Sequence, residues 1–314
     1  MDWAECRFAL AAAIALCAGA DSATAGDGRD SPFAPPGVII RSTTSAHHLV
    51  CTGAGFPTVL LEAGLGGNHL DWSLVQPELS RFTRVCSYDR AGMGWSERSD
   101  RPRTVANIND ELHDLVAAAR IERPLVLVGH SFGGLAALHY ARLHPEEVAG
   151  LVLLDATHPD QFQVFEEIGI KLPDPHAVVT RTPPAAAAHG LPAHLQRLAI
   201  HLAAAGQVRK LMIEEMKALP DNAEAVGRDG YPRLPARVLI HGNREWDRLY
   251  PDGRMETAWA NMHARLARAL GASPPIVARS SGHQIALDEP SVVVAAVRDL
   301  IGSLGAGSGA TAAP

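Results

Sequence analysis

The chain has few aromatic residues, no excess of basic charge and no cysteine spacing that would hold zinc. Aromatic residues make up 5% of the 314 residues, too few for a surface that stacks bases or sugars. The formal net charge of −6 lacks the basic footprint of a nucleic-acid-binding protein. There is no Cys-x-x-Cys pair, and no His-x-x-x-His pair encloses a carboxylate. We therefore expect no nucleic-acid partner and no bound metal.

Long apolar runs are also missing, apart from one near the start. Residues 8–18 are apolar and follow Arg7, but the run is too short to cross a bilayer comfortably. Small residues after it offer cleavage sites, so we expect a signal peptide over residues 1–25 and a secreted or periplasmic protein with no stable membrane span. The alternative is a cytosolic protein with a wrongly assigned start, because Asp2 and Glu5 weaken the positive charge of such a peptide.

The two ends of the remaining chain have the composition of unstructured segments. Residues 26–36 are rich in Asp, Gly, Ser and Pro and predict a flexible leader. Residues 305–314 are almost all small and predict a disordered tail. There is no internal repeat, and the length suits one large core with an insertion.

Between these ends, short apolar runs alternate with amphipathic stretches. Strands separated by helices imply parallel pairing through crossover helices, and hence a largely parallel sheet covered on both faces. The alternation stops over residues 158–234, where Pro and Ala clusters lie between helical stretches, so we expect an inserted helical cap there. The prediction is an α/β fold with a mostly parallel eight-stranded sheet, whose core comprises residues 37–157 and 235–304. The predicted strands are 37–42, 47–51, 58–62, 84–88, 125–128, 151–154, 237–241 and 275–278, and the main predicted helices are 105–116, 132–144, 195–204, 208–218, 255–270 and 290–304.

A serine flanked by glycines follows the fifth predicted strand. Gly129, Ser131 and Gly133 lie where the chain turns from a strand into a helix, which is the pattern of a nucleophile elbow. The serine of such a turn has a strained backbone and needs neighbours almost without side chains. Ser131 is therefore the candidate nucleophile. The alternative is a structural serine that caps the helix.

A serine hydroxyl is a weak nucleophile and needs a base within reach. His283 follows the last predicted strand, in a loop where Gly282 allows the imidazole to point over the carboxyl edge of the sheet. We predict that His283 is this base. His158 and His241 lie at other strand ends and are weaker candidates. We interpret His130, next to the serine, as a packing residue because a sharp turn points adjacent side chains apart.

The acid that orients the base has three candidates. Asp155 follows the apolar strand 151–154, where an unpaired carboxylate would be costly and a histidine partner would offset that cost. Glu245 and Asp247 follow strand 237–241 in a segment rich in charge. We favour Asp155 and keep Asp247 and Glu245 as alternatives.

Acyl transfer also needs two backbone N–H donors for the oxyanion. One donor should be Phe132, directly after the serine. The other should come from the glycine-rich loop 63–67, which follows the third predicted strand, and there we name Leu65. The alternative for this loop is a plain glycine turn.

These motifs, in this order, resemble the α/β-hydrolase superfamily, in the branch with a serine nucleophile and a helical cap. The resemblance covers about residues 37–304. Residues 88–96 resemble the Asp-x-Arg-Gly-x-Gly-x-Ser loop of the family, with Ala91 shifting the glycine spacing. The family commonly has His-Gly before its oxyanion residue, whereas this chain has Ala63 and Gly64. In relatives the acid follows either the strand that corresponds to 151–154 or the strand that corresponds to 237–241.

The resemblance implies a cofactor-independent serine hydrolase. Ser131 would attack an acyl carbonyl, His283 would move the proton, and water would resolve the acyl-enzyme. The apolar cap suggests a small to medium, partly apolar small-molecule substrate, and an ester is the default, as in a carboxylesterase. Serine in place of aspartate argues against an epoxide hydrolase or dehalogenase. The alternatives are a ligand-binding protein without turnover and an acyltransferase, and the oligomeric state stays open.

Two of the four cysteines would remain after removal of the signal peptide. Cys51 and Cys86 form an even pair, which suggests a disulfide in an oxidising compartment. The alternative is two buried free thiols. In the strand order that the resemblance implies, the second and fourth strands are neighbours, which would bring these cysteines within disulfide distance.

Overall fold

The protein is described from a computed structural model, which covers residues 33–228 and 230–308. The predicted signal peptide and most of the predicted leader lie outside the described residues. Within the described end of the predicted leader, the ring of Phe33 lies 5.6 Å from that of His201. Residues 34–36, which follow it in the predicted leader, are exposed.

An eight-stranded sheet forms the centre of the fold. The strand order is β1-β2-β4-β3-β5-β6-β7-β8, and the pairs β1–β2 and β2–β4 are antiparallel while all the others are parallel. The predicted mostly parallel eight-stranded sheet is confirmed. The strands are β1 (Val38–Arg41), β2 (Ala46–Thr52), β3 (Thr58–Glu62), β4 (Val85–Tyr88), β5 (Leu125–His130), β6 (Val148–Leu154), β7 (Ala236–His241) and β8 (Ile276–Ala278).

Ten α-helices lie among the described residues. Short 3-10 turns also occur, at His69–Trp72, Pro145–Glu147, Pro184–Ala188 and Glu245–Arg248. The α-helices are α1 (Gln76–Leu79), α2 (Val105–Ala118), α3 (Phe132–Leu143), α4 (Gln161–Glu167), α5 (Pro175–Arg181), α6 (Ala193–Ala204), α7 (Gly206–Arg228), α8 (Arg254–Ala269), α9 (Ile285–Asp288) and α10 (Pro290–Ser308).

Helices cover both faces of the sheet because the central strands are apolar on both faces. Leu60 and Leu127 contribute to one core, with residues of α2, α3 and α8. Val59 and Val126 contribute to the other core, with residues of α1 and α10. Neighbouring residues of a strand point to opposite faces, so each central strand joins the two cores. The arrangement leaves the carboxyl edge of the parallel strands free for a site.

Helices α4 to α7 lie between β6 and β7, where an inserted helical cap was predicted. The prediction ended the last of them at residue 218, two residues before Pro220, which lacks an N–H and is disfavoured in a helix interior. Helix α7 instead continues to Arg228, because Ala223 and Val226 beyond the proline are buried in the core. The sequence did not locate α4 and α5.

Two other boundaries differ from the prediction. Strand β6 begins at Val148 rather than at residue 151, because Val148 pairs with Leu125 although the following Ala and Gly are weak strand formers. Helix α10 continues to Ser308 and overlaps the tail for which disorder was predicted, since each added helical residue forms one more backbone bond. Among the described residues, no helix has the length and apolarity that crossing a bilayer requires.

Cys51 lies directly opposite Cys86 in the antiparallel β2–β4 pair. Their Cα atoms are 4.1 Å apart, and their sulfur atoms form a disulfide. The predicted bridge is therefore present.

Candidate active site

Ser131 occupies the turn between β5 and α3 in a backbone conformation that residues other than glycine rarely adopt. Its φ is 52° and its ψ is −121°. Its N–H donates to the carbonyl of Leu154 at 3.0 Å, and its own carbonyl accepts from the N–H of Thr157 at 2.9 Å. A Cβ atom on Gly133 would lie 2.3 Å from the carbonyl oxygen of Glu62, so only glycine fits there. The turn therefore has the strained geometry that the glycine pattern predicted.

His283 lies in the loop after β8, and its ring contacts the carboxylate that follows β6. Its Nδ1 atom is 2.6 Å from Oδ2 of Asp155. Ser131 and His283 line the same cavity, and the side chain of Asp155 is completely buried behind the histidine. The structure thus brings together the three residues that the sequence singled out as nucleophile, base and favoured acid.

The carboxylate of Asp155 has more partners than one histidine. Its Oδ2 atom also lies 2.7 Å from Nδ1 of His241, and its Oδ1 atom accepts from the indole N–H of Trp259 at 2.7 Å. Burial raises the pKa of Asp155, but His241 and His283 outweigh this effect and hold the pKa well below its usual range. Asp155 is therefore an anion fixed on both oxygens.

The two alternative acids lie elsewhere. Asp247 pairs with the exposed side chain of Arg244. Glu245 accepts from the backbone N–H of His283 at 3.2 Å and does not contact the ring in the described contacts. Glu245 therefore positions the loop of His283, and Asp155 alone of the three contacts the imidazole.

His130 packs behind His283, as the sequence suggested. Its Nε2 atom is 2.9 Å from the carbonyl oxygen of His283, and the ring centroids are 4.7 Å apart. Burial lowers the pKa of His130 to about 3, with the charge of His283 as a further cause. A neutral ring that donates to this carbonyl restrains the loop.

Both predicted oxyanion residues, Leu65 and Phe132, line the cavity with the serine. Arg90 braces their loop, since its guanidinium donates to the carbonyls of Ala63 at 2.6 Å and Gly64 at 2.7 Å. The same guanidinium lies 5.2 Å from the ring centroid of Phe132. Arg90 therefore contacts both sides of the predicted oxyanion hole.

The cavity in front of Ser131 has a volume of about 180 Å³ and a mainly apolar wall. Asp71 is the one carboxylate among the described residues that line it. Burial raises the pKa of Asp71 to about 7, against the opposing effect of Arg90. Apolar side chains of the wall include Phe165, Val178, Leu202, Met212, Trp246 and Trp259.

With this geometry established, comparison with known proteins identifies the family. The sequence profile of the alpha/beta hydrolase family matches residues 59–297. The chain belongs to this family. The chain is 25% identical over 253 residues to YqjL, an uncharacterized protein of Bacillus subtilis, and the match covers 79% of this chain and 85% of that protein.

Two other relatives match over shorter stretches. The chain is 40% identical over 121 residues to RutD of a Caulobacter species, provisionally named a carbamate hydrolase, covering 38% of this chain and 40% of that protein. It is 34% identical over 157 residues to an uncharacterized protein of Schizosaccharomyces pombe, covering 40% of this chain and 29% of that protein. The matched part therefore spans less than half of these two relatives.

Solved structures show the same fold. A protein of Acinetobacter baumannii, provisionally described as a lipase, superposes with a TM-score of 0.64 at 23% identity, covering 86% of this chain and 92% of that chain. CarC, a serine hydrolase involved in carbazole degradation, superposes with a TM-score of 0.61 at 19% identity, covering 84% and 98%. At these identities the likeness concerns the fold alone.

Two histidine clusters among the described residues have the donor atoms of a metal site. In the buried cluster, the Nδ1 atoms of His48 and His69 lie 2.8 and 2.9 Å from the carboxylate of Asp89, which also accepts from the N–H of Trp95 at 3.0 Å. The two histidines thus hold the carboxylate of Asp89, and its bond to the N–H of Trp95 stabilises the loop 88–96. The second cluster, His113, His144 and Glu147, is near the surface and has two stacked rings.

Sequence reasoning gave His241 too little weight and did not point to Glu256 or Trp259, and it pointed to Arg90 only as part of the loop 88–96. A signal for His241 was available, because it ends β7, and β7 is the neighbour of the strand that leads to Asp155. No sequence signal placed Glu256, which reaches this strand end from α8.

Proposed function

We propose that this alpha/beta hydrolase is a cofactor-independent serine hydrolase that cleaves an ester or related acyl bond through an acyl-enzyme. One observation carries the proposal: the strained Ser131 and the Asp155-bonded His283 line one cavity. A serine that only capped α3 would not need the strain, and in fact its side chain makes no capping hydrogen bond among the described contacts.

In the proposed reaction, the Oγ atom of Ser131 attacks the acyl carbon while Nε2 of His283 accepts its proton. The N–H groups of Phe132 and Leu65 stabilise the oxyanion. Asp155 stabilises the imidazolium that forms, and the imidazolium then protonates the leaving group. Water attacks the acyl-enzyme by the same steps and frees the serine.

The cavity supports a small to medium substrate with an apolar part, because most of its wall is apolar. Epoxide hydrolases are among the proteins of similar fold, but a serine at the nucleophile position argues against that chemistry. The likeness to RutD makes a carbamate a reasonable member of a substrate panel, since its carbonyl is open to the same attack.

The test combines a fluorophosphonate probe with p-nitrophenyl esters of rising chain length and an aryl carbamate. Wild-type protein should be labelled and should hydrolyse the short or medium esters. Ser131→Ala and His283→Ala should each lower kcat by about 10⁴-fold, and the double variant should be hardly worse, because the two residues act as a unit. Ser303→Ala and His176→Ala, which change exposed residues, should behave as wild type.

Three results would contradict the proposal. Absence of labelling in folded wild-type protein would favour a ligand-binding protein. Transfer of the acyl group to added alcohols in preference to water would favour an acyltransferase. Losses that multiply in the double variant would mean that Ser131 and His283 do not act together.

A further inference from the structure

The ring of His241 lies between two carboxylates. Its Nδ1 atom is 2.7 Å from Oδ2 of Asp155, and its Nε2 atom is 3.1 Å from Oε2 of Glu256. A carboxylate oxygen accepts hydrogen bonds, and a neutral imidazole has only one N–H to donate. Both contacts are satisfied together when both ring nitrogens carry a proton.

The surroundings favour this charged form. The His241 side chain is 2% exposed, so water does not replace either partner. Glu256 is held in place because its Oε1 atom accepts from the N–H of Trp246 at 2.9 Å. Burial lowers the pKa of His241, but Asp155 and Glu256 outweigh this effect and raise the pKa to about 10.

We propose that His241 is a permanently protonated positioning residue which, together with Glu256, fixes the carboxylate of Asp155 toward His283. This inference rests on the proposed function, since it concerns the acid of that triad. His241 is not among the residues that line the substrate cavity, so its role is to position and to set the charge behind His283.

The charges explain why Glu256 accompanies His241. A protonated His241 alone would neutralise Asp155 and weaken its stabilisation of the imidazolium of His283. Glu256 restores the net charge of the group to −1. Other titratable groups face this cluster. They are His263 on α8, whose pKa burial lowers, Glu245, which contacts the backbone of His283, and the exposed Arg244, whose pKa is raised by Asp247 and to a smaller degree by Glu256.

The first test does not need activity. Nitrogen-15 NMR of the imidazoles, recorded on Ser131→Ala, should show both nitrogens of His241 protonated up to at least pH 9. In the variant that also carries Glu256→Gln, His241 should titrate at lower pH, because one of the two carboxylates is gone. Titration of His241 near pH 6.5 in Ser131→Ala would overturn the inference.

The second test uses the rate of fluorophosphonate labelling against pH. His241→Asn keeps a donor at the position of Nδ1 but removes the positive charge, so His283 should hold its proton more tightly. The acid limb of the profile should move to higher pH by on the order of one unit, with about a tenfold loss of rate at pH 6. His194→Asn, an exposed histidine on α6, should leave the limb in place.

The outcomes separate this inference from the proposed function. Labelling with an unmoved acid limb in folded His241→Asn would reject the role of His241 and keep the serine hydrolase. Absence of labelling of the folded wild-type protein at every pH would reject the serine hydrolase. NMR of Ser131→Ala would still decide the charge of His241.

Discussion

Glu215 on α7 forms a buried ion pair with Arg90, with an N···O distance of 3.2 Å. Both side chains are almost completely buried, and Arg90 is the residue that donates to the carbonyls of the oxyanion loop. Glu215 also lies 3.8 Å from Arg103. One carboxylate of the cap thus connects the cap to the loop that the proposed reaction needs.

Replacement of Glu215 should therefore affect both stability and reaction rate. We expect Glu215→Gln to lower the free energy of unfolding by about 2–3 kcal/mol, because Arg90 and Arg103 lose a charged partner but keep Glu62 and Glu111. Fluorophosphonate labelling should slow as the loop loses support. Glu214→Gln, a partly exposed neighbour, should change stability by less than about 0.5 kcal/mol in the same denaturant titration. Equal losses in the free energy of unfolding for Glu215→Gln and Glu214→Gln would show that the buried ion pair contributes no more than an exposed one.

The three candidate acids should differ in their effect on labelling. Asp155→Asn should reduce the labelling rate by about 10³ to 10⁴-fold, since it removes the charge that stabilises the His283 imidazolium. Glu245→Gln and Asp247→Asn should reduce it by less than about tenfold, because neither side chain contacts the ring. The reverse ranking, measured on variants with wild-type circular dichroism, would move the acid to the segment after β7.

The sequence predicted the sheet and the elbow because both depend on local patterns. Strands such as β5 are buried on both faces and have continuous apolar sequences. Gly133 is required because a Cβ atom there would lie 2.3 Å from a backbone carbonyl oxygen. Helix α7 was harder, because packing of Val226 outweighs the local effect of Pro220.

The environment of Asp155 could not be predicted in the same way. Its contacts with His241 and Trp259 join residues 86 and 104 positions apart, and no local pattern encodes such pairs. The ion pair of Arg90 and Glu215 joins residues 125 positions apart and crosses from the core to the cap. Strand order can bring strand ends together, but side chains from inserted helices are placed only by the folded structure.

Substitution of the elbow glycines should be far more costly than substitution of an open glycine. Gly133→Ala should prevent folding or lower stability by more than about 3 kcal/mol, because its Cβ would lie 2.3 Å from a backbone carbonyl that cannot move freely. Gly302→Ala, in α10 with no atom within 4 Å of the added Cβ, should raise stability by about 0.5–1 kcal/mol. Thermal unfolding of both variants checks this, and a tolerated Gly133→Ala would contradict the tight turn.

The disulfide should stabilise the mature protein and should form on export, which we propose from the apolar run near the start. It joins residues 35 positions apart, and closure of such a loop stabilises a fold by about 2–4 kcal/mol. The double variant Cys51→Ala, Cys86→Ala should unfold at correspondingly lower denaturant concentration. Mass spectrometry of non-reduced, alkylated protein provides the direct check: two alkylated thiols after expression in an oxidising compartment would contradict both the bridge and the case for export.

His158 should make the protein less stable in mild acid. Burial lowers its pKa to about 3 in the folded protein, whereas an unfolded chain has an ordinary histidine. The unfolded state therefore binds more protons below about pH 6.5, so the stability that neutral His158 contributes is complete above that pH and is lost as the pH falls toward 3. Between pH 7.5 and 5 this loss is about 2 kcal/mol.

His158→Asn keeps an acceptor for the N–H of Asp160 but cannot be protonated, so its stability should fall less steeply over this range. Urea titrations at both pH values measure the free energy of unfolding, and the exposed variant His176→Asn should lose as much of it as wild type does. An equal loss in His158→Asn would show that His158 is not the group responsible.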